Sequence, residues 1–245
     1  MVLKAVFLEF SGVVIKDTDL QKRLVDEILI AENLRPDPVE FAQTCFGRSD
    51  RACLDQLLTR RGRVAPPKYL GKLLEQKSEA YIQVLSQKNR LPLYPGLQDF
   101  LYQLKTASLP IGLVTGAGKK DVEWVLARAG LMAQFTVKVT GEDTAVGEAK
   151  PATKPYEIAI AQLNQQFPEL ALKPENCLAV EASFVGINAA QRASIPVVGV
   201  AHLYPYQMIQ RRATWVVDYL NEIELDWIQQ GYGERSAAIE GTLQA

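Results

Sequence analysis

The feature that most constrains this chain is the alternation of short β-rich runs with helical periodicity. "KAVFLEF", "PIGLVTG", "FTVKVTG", "CLAVEAS" and "IPVVGVA" are separated by "LQDFLYQLKTA", "KKDVEWVLARAG" and "KPYEIAIAQLNQQF", whose apolar residues recur at three- and four-residue spacing. Strands that alternate with helices build a parallel sheet covered on both faces, so the expected core is a doubly wound α/β fold. Residues 17 to 90 break the rhythm: "LQKRLVDEILIAEN", "PVEFAQTCFG", "DRACLDQLLTRRG" and "PKYLGKLLEQKSEAYIQVLSQ" read as amphipathic helices without strands between them. The expected organisation is an α/β core from residues 1–16 and 91–245 and a helical cap from residues 17–90. "ATWVVDYLNEIELDWIQQ" reads as a last short strand and a helix, followed by a polar tail.

In open parallel sheets ligands bind beyond the carboxyl ends of the strands, so the residues just after each apolar run are the candidates for chemistry. They are Glu9 and Ser11, Thr115, Lys150, and Glu181 with Ala182. Carboxylates, hydroxyls and an ammonium gathered there would suit a phosphate, which needs donors, and a hard cation, which needs oxygens. The near-balance of 27 Lys+Arg against 28 Asp+Glu argues against nucleic acid held by bulk charge. No stretch reaches the ~18 apolar residues of a membrane span, and the N-terminus runs into a strand pattern without a leader, so a cytoplasmic location is expected. Cys45, Cys53 and Cys177 are odd in number and sit in apolar contexts, which suggests buried free thiols. His202, the single histidine, is expected to pack or to lie at the surface.

Four ordered blocks resemble the haloacid dehalogenase-like (HAD) superfamily, in its β-phosphoglucomutase and phosphoglycolate phosphatase branch. "FLEFSGVVIKDT" stands at its first motif, and "YPGLQDFLYQLKTASLPIGLVTG" at its proline-glycine helix and second motif, ending at Thr115. "KPATKPYEIAIAQL" stands at the lysine-proline segment, with Lys150 preferred over Lys154, and "CLAVEASFVGINAAQRASIPVVGV" at the segment of paired acids. The resemblance implies a Rossmann-like core with a helical cap and Mg²⁺-dependent phosphoryl chemistry. A nucleophilic aspartate, an aspartate acid/base, a threonine and lysine on the phosphoryl oxygens, and paired acids on the metal would carry it. "FGRSDRACLDQLL" resembles the cap segment that reaches toward substrate, which makes Arg48 a phosphate-contact candidate beside Thr115 and Lys150.

Three departures fall on that chemistry. Glu9 replaces the nucleophile, Ser11 the acid/base and Ala182 the second metal-site acid. The extra C–C bond displaces the carboxylate by about 1.5 Å, and a misplacement of ~1 Å can cost roughly 10²-fold. Loss of a positioned acid/base typically costs ~10²–10⁴ more. Any Mg²⁺ would rest on Glu9 and Glu181 and be held weakly or not at all. The expected function is therefore binding, of a protein partner or a phosphorylated small molecule, in a regulatory or assembly role. The alternative is a phosphatase or phosphomutase-like enzyme that uses Glu9 as its nucleophile.

Overall fold

The computed structural model describes residues 2–233, and the polar C-terminal tail expected from the sequence lies outside the described residues. The chain begins with strand β1 (Ala5–Leu8), followed by helices α1 (Thr18–Ala31), α2 (Pro38–Cys45), α3 (Asp50–Arg60) and α4 (Pro67–Ser86). The alternating part then runs α5 (Leu97–Thr106), β2 (Ile111–Val114), α6 (Lys119–Arg128), β3 (Val137–Val139), α7 (Lys154–Gln166) and β4 (Cys177–Glu181). It continues through α8 (Phe184–Arg192), β5 (Val197–Val200), α9 (Tyr206–Gln210) and β6 (Trp215–Val217). The six strands form one sheet in the order β3-β2-β1-β4-β5-β6, with every neighbouring pair parallel. The helical insertion contributes no strand to it.

Because side chains alternate faces along a strand, each strand feeds both layers. Val6 and Leu8 of β1 and Leu178 and Val180 of β4 join Phe100, Val122 and Val125 of α5 and α6. Ala5, Phe7, Cys177 and Ala179 join Tyr156, Ala159 and Ile187 of α7 and α8 on the other face. Gly112 is required here, since a Cβ would lie 2.7 Å from the Phe7 ring. The insertion has its own core of Val25, Leu29, Phe41, Leu54, Leu57 and Leu73.

The insertion contains one feature opposite to the sequence-based expectation. Cys45 and Cys53 are joined by a disulfide, with Cα atoms 4.7 Å apart, and only Cys177 is a free buried thiol. The two cysteines end α2 and open α3, and the turn between them contains Gly47 at φ 75°. That left-handed residue doubles the chain back, bringing together cysteines eight positions apart.

Candidate functional site

The site follows from strand parity. Leu8 is paired with Val180, and the Glu9 N–H donates to the Val180 carbonyl at 3.1 Å. Glu9 therefore continues the Ala5–Phe7 side of β1 just as Glu181 continues the Cys177–Ala179 side of β4. Two carboxylates reach the same end and the same face of neighbouring strands. Lys150, on the loop between β3 and α7, enters between them. Its Nζ donates to Glu9 Oε2 at 2.8 Å, to Glu181 Oε1 at 2.6 Å and to the Val114 carbonyl at 2.6 Å. The rival Lys154 is half exposed and faces Glu157.

This triad is buried, with one positive charge against two carboxylates. Burial pulls the Lys150 pKa down, but Glu181 and Glu9 outweigh it and hold the ammonium above the ordinary lysine value. The surplus negative charge is the costly part. Burial, reinforced by Glu9 and only partly offset by Lys150 and the Tyr156 hydroxyl, pushes Glu181 up to about 7. Tyr156, on the inner face of α7, donates to Glu181 Oε1 at 2.7 Å. The other oxygen, Oε2, has no hydrogen-bond partner and is pressed against Gly186, where an added Cβ would come within 2.0 Å of it.

Above the triad, between insertion and core, lies a cavity of about 70 Å³ whose wall includes Glu9, Ser11, Arg48 and Thr115. Its size is enough to hold a few waters. Phe41, Phe46, Val25 and Leu203 supply the apolar part of the wall. Arg48 is half-buried, and its Nε is shielded from solvent without a hydrogen-bond partner. Thr115 Oγ1 accepts from the Ala117 N–H at 3.1 Å, which fixes the turn after β2.

The expected set thus separates into two levels. Glu9, Ser11, Thr115 and Arg48 reach the cavity wall, whereas Lys150 and Glu181 lie beneath it, fully enclosed. The expectation that Lys150 and Glu181 face the same cleft is corrected accordingly: they support Glu9 from below. Ser11 does not stand free either. Its Oγ donates at 3.2 Å to Asp17 Oδ2, which also accepts from Gln21 at 3.1 Å and Tyr81 at 2.8 Å. Asp17 is held above the usual carboxylate range by burial, which these hydrogen bonds oppose. Sequence reasoning passed over Asp17, Gln21, Tyr81 and Tyr156. Tyr156 had a signal in its place on α7's apolar face, with a hydroxyl needing a buried partner.

A hard cation fits these residues poorly. Glu9 Oε1 accepts from the Phe10 N–H at 2.7 Å and Oε2 from Lys150, Glu181 is turned toward Tyr156 and Gly186, and Ala182 brings no oxygen. Among the described residues no cluster of three or more His, Cys, Asp or Glu could hold a metal ion. His202 packs: its ring stacks on Tyr94 at 3.8 Å, and its Nδ1 lies 2.8 Å from the Gly12 carbonyl. Among the described residues no helix is long and apolar enough to cross a membrane.

Comparison with known proteins agrees with this architecture. The phosphoglycolate phosphatase of Yersinia pseudotuberculosis is 24% identical over 204 residues, 83% of each chain. The β-phosphoglucomutase of Bacillus subtilis is 25% identical over 211 residues, 83% of this chain and 85% of the relative. The crystal structure of β-phosphoglucomutase from Clostridium difficile superimposes with a TM-score of 0.80 at 21% identity, covering 96% of this chain and 99% of the other. A family model described as haloacid dehalogenase-like hydrolase matches residues 3–194, and with most of the chain accounted for, the protein belongs to the haloacid dehalogenase-like hydrolase family.

Proposed function

We propose that this protein binds a small phosphorylated metabolite between insertion and core and transfers its phosphoryl group at a very low rate or not at all. The observation that carries this reading is the engagement of Glu9. Both of its oxygens are hydrogen-bonded within the protein, one to the Phe10 amide and one to Lys150. Attack on phosphorus would have to compete with that ion pair. Ser11 has no carboxylate with which to protonate a leaving group, and the weak oxygen set disfavours Mg²⁺. Arg48 and Thr115 still line the cavity that an anion would occupy. The convergence of these groups on a small cavity between insertion and core favours a small molecule over a protein partner.

A second reading, a working phosphatase or phosphomutase-like enzyme, rests on Glu9 being in the cavity wall next to Thr115. The relatives named phosphoglycolate phosphatase and β-phosphoglucomutase indicate the ligand class to try. An assay with Mg²⁺ across a panel of phosphate esters, with Glu9→Gln in parallel, separates the two. The expected result is no turnover above background in either protein, with calorimetric binding of at least one ester. Ordinary turnover that Glu9→Gln abolishes overturns the binding-only reading.

A further inference from the structure

We infer that the Cys45–Cys53 disulfide is a site of thiol–disulfide exchange whose redox state sets the order of the loop bearing Arg48. Both cysteines form part of the cavity wall, together with Arg48 and Asp50 from the loop they enclose. This loop joins the end of α2 to the start of α3 and rests directly on the core. The Asp50 N–H donates to the Gly116 carbonyl at 3.2 Å, and Asp50 pairs with the buried Lys77 at 3.0 Å. Contact is close enough that a Cβ on Gly116 would fall 2.5 Å from the Arg48 carbonyl oxygen, and one on Gly47 would fall 2.0 Å from Ser183 Oγ.

The disulfide closes the base of this loop. While it is intact, α2 and α3 cannot separate at that end, and the Arg48 backbone stays against Gly116 in the turn after Thr115. A small dithiol reductant cleaves it in two steps. Its thiolate attacks one sulfur to give a mixed disulfide and releases the other cysteine as thiolate, and its second thiol then displaces the remaining cysteine. Two electrons pass to the protein sulfurs, which take up two protons, and the reductant leaves as a cyclic disulfide. The freed loop must then be ordered by the ligand itself, which weakens anion binding. The loop effect stands on the geometry of the insertion alone, whereas the affinity effect rests on the binding function proposed above.

Hydrogen exchange read by mass spectrometry on the full chain, before and after a dithiol reductant, tests the inference. The expected result is at least tenfold faster exchange at the amides of residues 48–53, with α1 and α4 unchanged. Cys45→Ser/Cys53→Ser should match the reduced protein and ignore reductant. Unchanged exchange, or absence of the 45–53 link in non-reduced peptides, overturns it. Loss of protection throughout the insertion also overturns it, because the bond would then be a general staple. Calorimetry with inorganic phosphate should show binding weaker by roughly three- to tenfold on reduction, the cost of ordering one long side chain. Equal affinity in both states overturns the link to ligand binding. A loop that loosens while phosphate binds in neither state sinks the proposed function but leaves the exchange site standing.

Discussion

Lys150 is the residue on which the floor of the site depends. It is the only cation within hydrogen-bond reach of Glu9 and Glu181 among the described ion pairs, and it is almost wholly buried. Lys150→Met should therefore destabilise the fold by roughly 3–5 kcal/mol, read as a shift in the urea midpoint, because it leaves two enclosed carboxylates uncompensated. Glu181 gives a distinct pH signature. Its pKa rises from 4.5 in the unfolded chain to about 7 in the fold, so its contribution is fully present below 4.5 and is lost as pH climbs through 7. Glu181→Gln does not titrate. Its stability relative to the parent should rise across that window and level off above it, and a difference independent of pH would contradict the assignment. The positions of Glu9, Thr115, Lys150 and Glu181 were legible because each directly follows an apolar strand or loop of the expected order. Their division into wall and floor was not, since Glu9 and Glu181 share one face of the sheet, and only the packing of Lys150 between them and of the insertion above sets the two levels apart.

At the scale of elements, the seam between α4 and α6 joins insertion to core. Ser78 hydrogen-bonds Asp121 across it. Burial lifts Asp121 from 3.8 to about 6, with Lys77 opposing the shift and Asp50 adding to it. A raised carboxyl pKa again means stability lost as pH rises, here between about 4 and 6. Asp121→Asn should gain stability relative to the parent over that range, by ~3 kcal/mol at most, measured by denaturation at pH 4 and pH 7. The helices on both sides of this seam were readable from periodicity, as was the absence of strands in the insertion. The disulfide was not, because pairing two cysteines eight apart requires a reversal at Gly47 that helical patterning on either side does not reveal.

For the whole molecule, the parallel sheet with its helical insertion is the fold of the family, while three positions at the strand ends depart from the chemistry that the family resemblance implies. Whether the scaffold remains competent can be tested by restoring all three. Glu9→Asp withdraws the carboxylate by about 1.5 Å and loosens its contact with Lys150, freeing it for the cavity. Ser11→Asp returns an acid/base next to that carboxylate. Ala182→Asp is the demanding change, because Ala182 is fully buried and the added carboxylate must find room in a packed core. Groups that act as a unit are strongly non-additive, so single replacements should do little. The triple variant is expected to show Mg²⁺-dependent phosphatase activity above the parent, measured as phosphate release across an ester panel, with folding checked by circular dichroism. A folded triple variant that stays inert would mean that the tie of Ser11 to Asp17 and the packing around Ala182 have remodelled the pocket beyond these three side chains. Thr115 and Lys150 would then be parts of the fold rather than remnants of a working phosphoryl site.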